Sequence, residues 1–157
     1  MLVRFSSLNY NTSCMRDDEN SGIQPAGSRE NGIDRRSEKF QYMLPFYMEP
    51  GMNELHGTLG LGDNSLCIEW RLYDLFESPK GELESLIFDV NKLVSANFRK
   101  GLFGGTLRLV FTSSSVISRI PLPTGQLNEM RCIIRRKHRR EAELWTAELN
   151  LRIAENL

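Results

Sequence analysis

The sequence is short of the residues from which most active sites and metal centres are built. Its 157 residues include only two histidines, His56 and His138, and neither has a serine or cysteine nucleophile beside it. A lone histidine on a strand or a helical stripe is ordinarily a packed or solvated residue, not a general base. Three cysteines, Cys14, Cys67 and Cys132, are an odd number without short ligand spacing. They argue against a disulfide framework and against a zinc site, and for a reduced, cytoplasmic chain. The phosphate-loop pattern G-x-x-x-x-G-K-[ST], the dinucleotide pattern G-x-G-x-x-G and the metalloprotease pattern H-E-x-x-H are all missing. No catalytic residue, metal or cofactor is therefore expected, and the chain reads as a non-enzyme. Net charge is missing too: 20 basic side chains cancel 20 acidic ones, so no global field draws the protein to nucleic acid or to a membrane. Runs of about 18 apolar residues are absent, and the start MLVRFSSLNYNTSC is too short in apolar residues for a secretory core.

What is present is an ordinary globular composition, 40% hydrophobic and 25% charged. The chain divides in two. Residues 1–38 are polar, with scattered Leu2, Val3, Phe5, Leu8 and Ile23 that follow neither period; such a segment cannot offset its ordering entropy and reads as a disordered tail. Residues 39–157 carry the domain. Tyr42 to Met48 is a dense apolar run broken by Pro45, predicting a first strand at an edge or with a bulge. Leu55, Gly57, Leu59 and Leu61 alternate with polar residues, and Gly62-Asp63-Asn64-Ser65 turns the chain. A third strand places Leu66, Ile68, Trp70 and Leu72 inward, with Cys67, Glu69, Arg71 and Tyr73 outward. Leu86, Phe88 and Val90 give a fourth. Val94, Ala96 and Phe98 then face Leu107, Leu109 and Phe111 across a glycine-rich connector, which reads as an antiparallel hairpin. Val116 to Ile120 completes seven strands. From there Leu127, Met130, Ile134, His138, Ala142, Trp145, Leu149 and Ile153 recur at steps of three and four, predicting one amphipathic helix at about 125–155. The fold class is mainly β with one C-terminal α-helix.

That element order, with Gly57-Thr58-Leu59-Gly60-Leu61 leading into Leu66-Cys67-Ile68-Glu69-Trp70-Arg71, then Phe88-Asp89-Val90 and Lys100-Gly101-Leu102-Phe103-Gly104-Gly105, resembles the pleckstrin-homology-like superfold in its bacterial and GRAM-type branches. The resemblance covers roughly residues 41 to 157. It implies a seven-stranded, partly open barrel of two near-orthogonal antiparallel sheets, capped by the helix. Lipid-binding members of that family carry basic residues in the loop after the first strand. Here that stretch, Glu49-Pro50-Gly51-Met52-Asn53-Glu54, is acidic, which counts against phosphoinositide binding at the usual place.

Two surfaces remain as candidates. Arg99, Lys100, Leu102 and Phe103 put two cations beside two apolar side chains at a loop tip, a composition suited to a lipid interface; the plain reading is a hairpin whose Phe103 folds back on the sheet. Arg135, Arg136, Arg139 and Arg140 form the strongest basic run and suit an acidic partner; the plain reading is a solvated helix face. A binding or scaffolding module follows. Protein–protein interaction through a sheet edge or the outer helix face comes first, peripheral binding to anionic membrane through Arg99–Gly105 is the alternative, and nucleic acid stands third.

Overall fold

The computed structural model describes residues 40–156; the segment 1–38, read above as a disordered tail, lies outside them. Seven strands follow one another: β1 (Tyr42–Met48), β2 (Glu54–Leu61), β3 (Ser65–Tyr73), β4 (Pro79–Asp89), β5 (Leu93–Lys100), β6 (Gly104–Phe111) and β7 (Glu129–Arg135). One helix, α1 (Arg139–Glu155), closes the chain. The strands form one continuous antiparallel sheet in the order β4-β3-β2-β1-β7-β6-β5, where the resemblance implied two. Its two halves are hydrogen-bonded at a narrow seam, Tyr47 opposite Ile133. The end strands β4 and β5 do not pair with each other, so the sheet is not closed into a barrel.

The seam accounts for Pro45. A proline cannot donate to a ladder, and β1 was expected at an edge or with a bulge for that reason. Instead β1 pairs with β2 along its whole length and meets β7 only at Tyr47, so Pro45 stands where the strand has one neighbour to satisfy. The neighbouring Phe46 lies across Gly57, where a Cβ would come within 2.6 Å of its ring. Only glycine lets that aromatic ring cover the opposite strand so closely.

Leu66, Ile68 and Trp70 of β3 point into the core as expected, but Cys67 and Glu69 are buried as well. Phe40 accounts for part of this: it packs against Gly60, the residue paired with Cys67, so both sides of the strand are covered there. In β5 the alternation slips. Leu93 pairs with Phe111 and Ser95 with Val110, leaving Val94 as an extra residue. The bulge turns Val94 outward, 56% exposed, while Leu93 and Ala96 both face the core.

The seventh strand and the start of the helix differ from expectation. Ser114–Ile117 is a 3-10 turn, with Ile117 and Ile120 buried three residues apart. The strand is Glu129–Arg135, where Met130, Cys132 and Ile134 alternate into the core. A step of four from Met130 to Ile134 fits a helix and a strand alike; Cys132 between them is buried only in a strand. The helix therefore begins at Arg139, after a 3-10 turn at Arg136–His138, and not near residue 125.

Helix α1 lays Ala142, Trp145, Leu149 and Ile153 on the core. Trp145 Nε1 donates to the Tyr42 carbonyl of β1 at 3.3 Å. At the far edge, the Asn150 carboxamide accepts from Ala96 N–H at 3.0 Å and donates to Ala96 C=O at 2.8 Å. One side chain thus satisfies both backbone groups of an edge residue that has no strand beyond it. No described helix is long and apolar enough to cross a membrane.

Across β6 and β7, Arg108 and Arg131 stand directly opposite each other. Glu129 reconciles them: its carboxylate accepts from Arg108 Nε and from Arg131 Nε, each at 2.7 Å. The bond from Arg108 is the largest influence on its pKa; burial opposes it, and the bond from Arg131 with the charges of both arginines keeps the carboxyl below the ordinary glutamate range. A carboxyl group lowered in this way adds stability above its unfolded pKa and loses it as the pH falls through the folded one. Glu129→Gln should therefore melt below the wild type at pH 7, and the difference should narrow as the pH is taken down past the ordinary glutamate value of about 4.3, as followed by thermal denaturation. Asn150→Ala should cost about 1–3 kcal/mol by leaving both Ala96 groups without a partner, measured by urea unfolding, and should speed exchange of the Ala96 amide.

Candidate functional site

The loop between β5 and β6, residues 101–103, is built on a rigid root. Gly101 N–H donates to the Gly104 carbonyl at 2.8 Å and closes the hairpin. A Cβ on Gly105 would sit 2.4 Å from the Phe98 ring, and one on Gly104 would sit 2.3 Å from the Ile134 carbonyl oxygen. Glycine at these positions lets β6 press against both neighbours.

Arg139, the first residue of α1, completes the loop from the other side. Its Nε donates to the Gly104 carbonyl at 2.9 Å, and an NH2 group donates to the Leu102 carbonyl at 2.6 Å and to the Gly101 carbonyl. A planar guanidinium reaches three carbonyls at once; a lysine ammonium lacks that fork. With its backbone held, the loop turns its side chains outward. Leu102 is 79% exposed and Phe103 is 84% exposed. Phe103 does not fold back on the sheet.

Cations surround this tip. Arg99 is exposed at the end of β5. Lys100 pairs with Glu143 of α1 at 2.6 Å. Gly104 is registered opposite Arg135, whose guanidinium lies 5.8 Å from the Tyr47 ring centre. Arg136 and Lys137 are exposed in the turn before the helix, and Arg140 just after it. Through Arg139 and the Gly104–Arg135 register, the two basic stretches read separately from the sequence meet at one end of the molecule, a basic rim beside Leu102 and Phe103. Two of these cations are engaged within the molecule: Lys100 by Glu143, and Arg139 by the loop carbonyls, so that Arg139 organises the rim instead of meeting an acidic partner. The two helix carboxylates nearest the rim are engaged, Glu143 by Lys100 and Glu141 by His138.

Other groups are accounted for elsewhere. His56 Nε2 donates to the Glu54 carboxylate at 2.9 Å, and its ring stands edge-to-face with Tyr73, the ring centres 5.0 Å apart. His138 is held by Glu141. Cys132 is buried, and desolvation pushes its thiol pKa well up, which makes it a packing residue and not a nucleophile. A depression of about 320 Å³ is lined by Ser114, Ser115, Ile117, Ile120 and Leu122 among others, none of them ionisable. Among the described residues, no group of three or more His, Cys, Asp or Glu side chains is placed to hold a metal.

A second exposed apolar tip escaped the sequence reading. Leu75 and Phe76, between β3 and β4, are 67% and 88% exposed. Asp74 caps their turn by accepting from the Phe76 and Ser78 N–H groups, each at 2.9 Å. The legible signal was the Asp74 side chain ahead of a turn. Flanked by Asp74 and Glu77, this tip is acidic where the other is basic.

No family model, curated protein or solved structure matches the chain. The role of the rim is therefore read from its own geometry.

The three-carbonyl clamp makes a specific demand. Arg139→Ala should raise amide exchange at Gly101 by about fivefold or more, and Arg139→Lys should recover only part of the protection. Hydrogen-exchange mass spectrometry of the 98–106 peptide measures both; unchanged exchange in Arg139→Ala would show that the hairpin holds itself.

Proposed function

We propose that the chain is a non-enzymatic binding module that attaches peripherally to anionic membrane surfaces through the rim of residues 99–103 and 135–140. The observation that carries the reading is the exposure of Leu102 and Phe103 on a clamped loop, with the exposed Arg99 and Lys100 just before them and the exposed Arg136, Lys137 and Arg140 on either side of the clamp residue Arg139. Two large apolar side chains held in water are unfavourable, at about 1.5–3 kcal/mol each relative to full burial, and a lipid interface relieves part of that. Each cation beside an anionic surface adds about 1 kcal/mol, screened over a Debye length. Neither contribution suffices alone. Together they favour a surface that offers both acyl chains and negative headgroups, despite the zero net charge of the whole molecule.

Protein interaction, the first expectation from the sequence, has its own support in β4. Residues 79–85 are exposed along an end strand, and an extended peptide could add there. Lys80, Glu82 and Glu84 are the kind of charged residues that keep such an edge from pairing indiscriminately. The rim is preferred because it combines two independent sources of affinity in one place.

Co-sedimentation with vesicles tests the proposal. The wild type should pellet with phosphatidylserine-containing vesicles, stay in solution with phosphatidylcholine alone, and release as salt rises. Leu102→Ser/Phe103→Ser and Arg99→Ala/Lys100→Ala should each weaken binding by about tenfold or more. A wild type that stays in the supernatant with every lipid ends the membrane reading, and loss of pull-down by Leu83→Pro would then favour the β4 edge.

A further inference from the structure

Helix α1 is apolar on two sides. Opposite the docked stripe, Leu144 and Leu151 are 62% and 55% exposed, and Ala147 and Ala154 are exposed with them. Steps of three, four and three residues place these four on one straight ridge, the spacing by which helices pack on each other. The alanines keep the ridge low enough for a second backbone to approach.

The charges along the ridge decide what fits it. Glu143 is neutralised by Lys100 and Glu148 by Arg152, at 2.6 and 2.9 Å, and Glu141 faces His138. Arg140 at one end and Glu155 at the other have no ion pair among the described residues. An apolar ridge with free charges of opposite sign at its two ends complements itself when reversed; laid parallel, it sets like charges together.

We propose that this ridge joins two copies of the chain, helix against helix and antiparallel, about a two-fold axis. Leu144 then meets Leu151 of the second copy, twice over by symmetry. The same register satisfies the ends: Arg140 is four residues before Leu144 and Glu155 four after Leu151, so each Arg140 lies beside the Glu155 of the other copy. From Arg140 to Glu155 the ridge runs about 23 Å at the helical rise. A contact of that length is smaller than a standard interface of about 800 Å² per partner, so the pair is a reversible dimer that forms as concentration rises. The ridge leucines are distinct from Leu102 and Phe103 of the rim, and the two surfaces share Arg140.

Sedimentation velocity of the full chain from about micromolar to millimolar concentration tests it. The wild type should pass from monomer to dimer, and Leu144→Glu or Leu151→Glu should hold it monomeric while melting at the wild-type temperature. Arg140→Glu should raise the dimer Kd about tenfold, and adding Glu155→Arg to it should bring the Kd back to within about threefold of the wild type. That rescue is the decisive arm, because a purely structural effect of either change would not be reversed by the other. A wild type that is monomeric throughout, a dimer indifferent to the leucine changes, or a double variant no tighter than Arg140→Glu overturns the proposal. So does a monomer whose vesicle binding is lost in Leu144→Glu, which would give the ridge to lipid.

Discussion

Burial of Trp145 beneath β1, with the two hydrogen bonds from Asn150 to Ala96 on β5, ties together strands that lie well apart in the sheet. The sheet cannot do this for itself, because β4 and β5 do not pair and its halves meet at a single registered position. The helix adds Ala142, Trp145, Leu149 and Ile153 to the same core cluster as Leu107, Leu109 and Phe111. Arg152 extends the tie at the helix end, lying 5.8 Å from the Tyr42 ring centre while bonded to Glu148. One element of 17 residues thus supplies the closure that a barrel obtains from its last strand pair.

The same helix begins at the candidate site. Arg139 is both its first residue and the clamp on the 101–104 backbone, so the docking of the helix and the presentation of Leu102 and Phe103 are mechanically one event. This is an economical way to hold exposed apolar side chains: the cost of exposing them is offset by core burial elsewhere on the helix. It also means that loosening the helix would loosen the rim, and that a surface feature here has the rigidity of a core feature.

Charges in the molecule are mostly arranged as local reconciliations. Glu129 separates two opposed arginines, Glu143 answers Lys100, and Glu148 answers Arg152. Zero net charge conceals this pattern. A basic rim and an acidic tip around Asp74 and Glu77 coexist because each is local, and at physiological ionic strength charges are screened beyond about 8 Å.

The sequence by itself determined the class of the fold, the first six strands in order, the inward faces of β2 and β6, and the burial of Trp70 and Trp145. Those features follow from periodicity, which is a local property of neighbouring residues. It also determined that Arg99, Lys100, Leu102 and Phe103 gather at one hairpin tip, the first two at the end of β5 and the last two in its loop. It misled where two periods coincide, as at Met130 and Ile134, and where a bulge resets the alternation, as at Val94. Only the tertiary structure decided that Arg139 turns to the loop 35 residues before it, that the two basic stretches make one rim, and that α1 has an uncovered second ridge. Each of these depends on which elements lie side by side, a matter of long-range packing free energy that no window of sequence contains.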